Sequence, residues 1–208
     1  MKNITIVHNH FIQDALRHLR DKKTEMEEFR YYSDRLCFVL MSNILSTSDV
    51  ATVHVHTPLV KTQVERIMDH FVIVIILRAG VAMLHPALQL LPDAKIGFAG
   101  IYRDEKTALP QEYYWKMPRI LSKSTILITD PMLATGGSVL HVLRKLKKHK
   151  SIEIRVISIV AAPEGVKAIH EEFPNVKIFV ASLDSRLNSQ KFIVPGLGDY
   201  GDRYFGTV

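Results

Sequence analysis

A single cysteine among 208 residues excludes an internal disulfide, and Cys37 falls on the apolar face of a helical pattern, which reads as packing rather than thiol chemistry. Long hydrophobic runs are missing too: the longest, residues 71–77, is a strand's length, far short of the ~20 residues that cross a bilayer. The start of the chain, with Asn3, His8 and His10, has no signal-peptide core, so the expectation is a cytosolic protein with no membrane partner. No repeat and no linker rich in proline, glycine or serine divides the chain, which predicts one domain over residues 1–208. The small-residue turn at 130–138 is neither a Walker A element nor a G-x-G-x-x-G turn, which argues against nucleoside triphosphate hydrolysis and hydride transfer there. His54 and His56 share a strand face, but no third or fourth ligand stands at a metal-binding spacing. Nor do Ser, His and Asp residues announce a catalytic triad.

Charge decides less. The 27 Lys and Arg exceed the 21 Asp and Glu by +6, which suits an anionic ligand or a nucleic acid and selects neither. Much of the excess, Arg144, Lys145, Lys147, Lys148 and Lys150, gathers at one helix end, where cations complement the dipole, so no nucleic-acid partner is expected.

What is present is a strand that ends in an acid and then in a run of small residues: Ile126-Leu127-Ile128-Thr129-Asp130-Pro131-Met132-Leu133-Ala134-Thr135-Gly136-Gly137-Ser138. The β-branched run 125–129 predicts a strand buried on both faces, and Val139, Val142, Leu143 and Leu146 then recur at helical spacing. Gly136 and Gly137 let backbone N–H groups approach an anion, while the helix dipole and the hydroxyls of Thr135 and Ser138 add attraction. An acid ahead of a phosphate turn can accept hydrogen bonds from sugar hydroxyls, so a ribose 5-phosphate satisfies both ends.

Strand-like runs at 71–77, 95–101, 125–129, 153–160 and 177–181 alternate with helical segments at about 81–91, 137–149 and 163–173. This alternation predicts an α/β fold, a mostly parallel sheet with helices on both faces and ligands at the carboxyl ends of the strands. Ahead of it, Thr24 with Glu27 suggests a capping box for a helix reaching about Leu45, with Phe29, Leu36, Cys37, Leu40 and Ile44 inward. Two alternating runs, 52–56 and 62–67, joined through Pro58 and Lys61, predict a β-hairpin arm at about 51–70.

Arg78 and Arg103 each follow a strand on the edge where Asp130 lies, and guanidinium groups suit bidentate recognition of phosphate oxygens. Together with the phosphate turn they point to a diphosphate beside the ribose. Residues 104–119, with Tyr113, Tyr114 and Trp115 between Pro110 and Pro118, read as a lid loop. The last thirteen residues carry four glycines and little helix or strand pattern, yet too many large apolar groups for a free tail, so they are expected to fold over something.

Arg78, residues 130–138, Gly100-Ile101-Tyr102-Arg103-Asp104-Glu105, Ala161-Ala162-Pro163-Glu164-Gly165 and Pro195-Gly196-Leu197-Gly198-Asp199 together resemble the uracil phosphoribosyltransferase family over nearly the whole chain. The loop is shared in outline by many phosphoribosyltransferases, and the C-terminal segment is what points to uracil. The resemblance implies a type I phosphoribosyltransferase fold and a uracil-binding hood at about 188–208. It implies formation of UMP and diphosphate from uracil and 5-phosphoribosyl 1-diphosphate (PRPP), with Mg2+ on the diphosphate. By the same carry-over, PRPP is held by Arg78, Arg103, Asp130, Pro131, Met132, Leu133, Ala134, Thr135, Gly136, Gly137, Ser138 and Asp199. Uracil is framed by Ile193, Gly198, Asp199 and Tyr200, and the chemistry rests on Arg103, Asp130 and Asp199. A homodimer or higher homo-oligomer is implied, and GTP is admitted as an effector.

The chain departs from the family pattern in places. Ala15 stands where an N-terminal lysine is usual, Ala82 replaces a glycine, and Tyr200 replaces a frequent alanine beside the base. Two readings on related folds compete: a UMP-sensing RNA-binding regulator of pyrimidine genes, and a non-catalytic partner of a uridine kinase.

Overall fold

Alternation along the central strands organises the molecule. The computed structural model describes residues 3–103, 110–149 and 152–207, and of Arg103 only the backbone. In chain order the elements are β1 (Ile4–Ile6), α1 (His10–Arg20), α2 (Met26–Leu45), β2 (Val50–His56), β3 (Lys61–Ile67), β4 (His70–Leu77), a 3-10 turn (Ala79–Met83), α3 (Leu84–Leu90), β5 (Lys95–Arg103) and β6 (Pro110–Lys116). They continue as β7 (Ser124–Thr129), β8 (Met132–Leu133), α4 (Gly137–Leu146), β9 (Glu153–Ala161), α5 (Pro163–Glu172), β10 (Lys177–Leu183), β11 (Arg186–Leu187), β12 (Ile193–Val194) and α6 (Tyr200–Phe205).

The main sheet runs β1-β10-β9-β7-β4-β5-β6, with β8 paired to β9. Its pairs are parallel except β5 with β6. Phe71, Ile73 and Ile75 of β4 face one layer, where they meet Phe29, Leu40 and Ile44 of α2 and Leu16 and Leu19 of α1. Val72, Val74 and Ile76 face the other, with Val139, Val142 and Leu146 of α4 and Val166 and Ile169 of α5. Each such side chain contributes about 1.5–3 kcal/mol on burial, so the double-sided apolar runs fix the layering before any loop is placed. Cys37 lies fully buried in α2, where desolvation pushes its thiol well up and suppresses the thiolate.

Four expectations need correction. The capping box does not form: the Thr24 hydroxyl donates to the His18 carbonyl at the end of α1 (2.7 Å), and Glu25 flanks α2 with no side-chain cap. The segment expected from about residue 81 begins as a 3-10 turn at Ala79, and α3 proper is short. Of the expected lid loop, residues 104–109 lie outside the described residues, but Pro110–Lys116 is no loop. It is edge strand β6, paired from Phe98↔Lys116 to Arg103↔Pro110, with its proline at the first strand position, where a missing N–H is tolerated. The tail, finally, is not without regular structure, because α6 runs from Tyr200 to Phe205 and closes on Gly206 in the left-handed conformation.

The arm is a separate two-stranded sheet, Val50↔Ile67 to His56↔Lys61, with the turn closed by Thr57 and Val60. His54 and His56 are solvent-exposed on it.

Candidate active site

Three turns meet at the carboxyl edge of the parallel strands. Asp130 directly follows β7, Arg78 directly follows β4, and Arg103 is the last residue of β5. Close packing holds the first two together: a Cβ on Gly80 would come within 2.7 Å of the Thr129 carbonyl oxygen, so glycine lets the turn after β4 lie against the end of β7.

From Asp130 the chain is pinned to β9. The Asp130 N–H donates to the Ile157 carbonyl (3.1 Å), the Ile159 and Val160 N–H groups donate to the Pro131 carbonyl, and Met132 pairs with Val160. Gly136, at φ 79°, turns the chain into α4, and Asp130, Met132, Leu133, Ala134, Thr135, Gly136, Gly137, Ser138 and Val139 line a hollow of about 30 Å³. The Gly137 N–H lies 3.4 Å from the Thr135 hydroxyl. A tight turn with a left-handed glycine at the start of a helix can hold an oxyanion on backbone N–H groups and dipole. Burial pushes the Asp130 carboxyl up to about 6, against the N–H of Met132 (3.2 Å), which favours the charged form.

The first turn of α5 buttresses the phosphate-type turn from below. A Cβ on Gly165 would overlap the Ala134 carbonyl oxygen, and one on Gly136 would come within 3.0 Å of the Gly165 carbonyl.

The C-terminal segment is the other wall. After the β11–β12 hairpin and a cis peptide at Val194-Pro195, Gly196 and Gly198 adopt positive φ and the chain enters α6. Asp199 caps that helix, accepting the Asp202 N–H at 3.0 Å. Ile193 is buried beneath it and Gly198 is exposed. Tyr200 does not face the outside of the hood: its ring is 1% exposed, lies edge-on to Phe29, and shares a hydrogen bond with the Ser33 hydroxyl of α2. Desolvation raises its phenol well above the ordinary tyrosine range.

Several residues that build this wall were not foreseen from the sequence. Arg20, at the end of α1, grips Asp184 with both nitrogens (2.9 and 2.6 Å), Ser182 (3.0 Å) and the Gly196 carbonyl (2.8 Å). Asp184 also accepts the Gly196 N–H at 2.8 Å, and Arg20 helps hold its carboxyl below the ordinary range despite burial. Arg203 donates to the carbonyls of Leu19, Leu197 (2.7 Å) and Asp21 (2.7 Å). Asp184 follows strand β10 at the same edge as Asp130, a positional signal that was readable. Arg20 lies 164 residues away from it, without any local pattern to mark the link.

The structure therefore places Arg78, Asp130 and the 131–138 turn on one rim, with the Ile193, Gly198, Asp199 and Tyr200 segment beside it. Arg103 reaches the same edge through its backbone. This parallel sheet with a strand-end anion turn is the type I phosphoribosyltransferase fold. Adenine phosphoribosyltransferase of Leishmania tarentolae shares it at a TM-score of 0.58 and 14% identity, over 89% of this chain and 92% of that one. A solved protein from Aquifex aeolicus is much more similar, with a TM-score of 0.90 and 37% identity over 97% of both chains.

The family model described as uracil phosphoribosyltransferase matches residues 6–207, and the chain belongs to that family. Its curated relatives include uracil phosphoribosyltransferases of Clostridium acetobutylicum, 40% identical, and Ligilactobacillus salivarius, 43% identical, each over 100% of both chains.

Proposed function

We propose that the chain transfers the 5-phosphoribosyl group of PRPP to uracil, forming UMP and diphosphate in pyrimidine salvage. One observation carries this reading: the hood helix and the phosphate turn border the same rim, joined through the turn that bears Arg78. Gly201 of α6 lies close enough to Ala79 that an added Cβ would stand 3.8 Å away, and Gly80 in turn touches the end of β7.

In this reading the 131–138 turn holds the 5-phosphate, Asp130 accepts the ribose hydroxyls, and Arg78 and Arg103 hold the diphosphate. The C1–O bond breaks, negative charge accumulates on the departing diphosphate, and the arginines stabilise it. The sugar carbon becomes oxocarbenium-like; uracil N1 bonds to it from the opposite face and loses its proton. Backbone groups around Ile193, Gly198 and Tyr200 read the base, with Asp199 near the donor. The inward-turned Tyr200 ring leaves that backbone free to do so. Catalysis is chiefly positioning and electrostatics, which accounts for a site without a nucleophile.

The donor set at the rim is hard oxygen, with Asp130 as its carboxylate, and this suits Mg2+, which takes one or two carboxylates plus substrate phosphate oxygens. When bound, the ion supplies further neutralisation of the diphosphate. Asp130 is the residue that would share it with the donor. A cytosolic setting and action as one domain, expected from the missing long apolar runs and linkers, belong to the same proposal, as does a response to GTP, which rests on the family resemblance.

The assay mixes protein, Mg2+, uracil and PRPP and measures UMP. Its absence across pH and donor concentration would refute the function.

The proposal extends to assembly as a homodimer or higher homo-oligomer. Two-stranded hairpins are marginal on their own, and the arm exposes Leu59 at 91% and Val60 at 63% along with Val50, Val64 and Ile67. Such a surface calls for a cover. The double substitution Leu59→Asp with Val60→Asp is expected to convert a dimer to monomer by light scattering at micromolar concentration, with little change in helical circular dichroism. An unchanged mass would remove the arm from the interface.

A further inference from the structure

We propose that Asp202 is a positioning residue for the transfer, holding Arg78 in place at the mouth of the donor site and so tying the base hood to the donor turn. The inference rests on the reading of Arg78 as a diphosphate ligand.

The Arg78 Nη2 lies 3.4 Å from Asp202 Oδ1, with the arginine side chain 63% exposed and the aspartate 29%. The two partners differ in how firmly they are held. Asp202 is the more firmly held: its Oδ1 accepts the Thr207 hydroxyl (2.6 Å), and its backbone is set by its N–H to Asp199 Oδ1 (3.0 Å) and by its carbonyl, which accepts the N–H groups of Gly206 (2.8 Å) and Thr207 (3.3 Å). Arg78, by contrast, is a long and mostly exposed side chain. Its contact with Asp202 uses one terminal nitrogen, and a guanidinium gripped at one corner still has its other N–H groups for an oxyanion. Gly201, next to Asp202, lets α6 approach the turn at Ala79, so the anchor and the arginine it orients are brought together by backbone packing.

The carboxylate therefore restricts Arg78 to the mouth before the donor arrives, and less rotamer freedom is lost when the diphosphate binds. Because the carboxylate belongs to the hood, the same contact lets a seated hood favour donor capture.

A double-mutant cycle tests this, with steady-state KM for PRPP and for uracil, kcat and melting temperature read for Asp202→Asn, Arg78→Ala and the double variant. Asparagine keeps an acceptor for Thr207 and all the backbone bonds. Asp202→Asn is expected to raise the PRPP KM about threefold to fivefold, the range of an exposed ion pair, with kcat, uracil KM and melting temperature unchanged. Arg78→Ala is expected to raise the PRPP KM further, and adding Asp202→Asn to it should change nothing. An unchanged or lowered PRPP KM in Asp202→Asn, or a full effect in the Arg78→Ala background, overturns the coupling. If Arg78→Ala itself leaves the PRPP KM untouched, the donor role of Arg78 fails as well.

Discussion

Asp130→Asn is expected to lower kcat/KM for PRPP by about 30- to 100-fold, the scale of one lost charge-assisted hydrogen bond, and at the same time to stabilise the fold at neutral pH. The two effects share one cause. Burial raises the Asp130 carboxyl to about 6, above its ordinary value, so between that value and pH 6 the folded chain binds a proton that the unfolded chain releases. Stability is therefore highest at the acid end of that window and declines as pH rises to about 6. Above it the full cost of a buried charge is borne, on the order of 1–2 kcal/mol after allowing for the side chain's partial opening to solvent. An uncharged asparagine escapes that cost. Melting curves should show the variant above the parent at pH 7.5 and the gap closing towards pH 5. Activity moves the other way. If the ionised carboxylate receives the sugar hydroxyls, kcat/KM of the parent falls below pH 6. The donor's own phosphate titrates in the same region, so the informative quantity is the ratio of parent to variant across pH. A constant ratio would show that the proton is not on Asp130.

Gly165→Ala is the second change with a large expected effect, although Gly165 need not touch a ligand. Its Cβ would overlap the Ala134 carbonyl and lie 3.2 Å from the Gly136 nitrogen, so either α5 or the phosphate turn must shift. The sheet holds α5 through Val166 and Ile169, which leaves the turn to yield. Overpacking of this kind costs about 1–3 kcal/mol in stability, whereas misplacing an anion cradle by about 1 Å costs roughly a hundredfold in rate. The expected result is a folded protein with kcat/KM for PRPP reduced about a hundredfold in steady-state assays. A proportionate loss of fold and activity would make Gly165 a structural residue only.

Local signals in the chain were legible from the sequence, and links between distant residues were not. Strand β7 and its phosphate-type turn were legible because burial on both faces, Asp130 and the paired glycines lie within fourteen residues. The parallel strands beside it were legible for the same reason, each being an apolar run between turn formers. Strand β6 was not: as the outermost strand it leaves Tyr113 and Tyr114 both exposed, which erases the alternation that marks a half-buried strand. Its aromatics are spent in other ways, Tyr113 lying over Gly100 and Trp115 beneath the Lys145 ammonium at 4.0 Å. Helix α6 is too short to display a helical period. Its attachment depends on Arg20, Arg203 and Ser33, whose partners lie far along the chain. Thr24 misled because its hydroxyl serves the preceding helix.

The grip of Arg20 and Arg203 on the last turns of the chain also has a consequence for how the protein is made. Arg20 is synthesised well before Gly196, so strands β4 to β9 and the anion turn can pair before the wall beside them exists. A chain cut short by a dozen residues would retain the cradle for the sugar phosphate and lose the seat for its acceptor. Water would be the remaining nucleophile at the open rim.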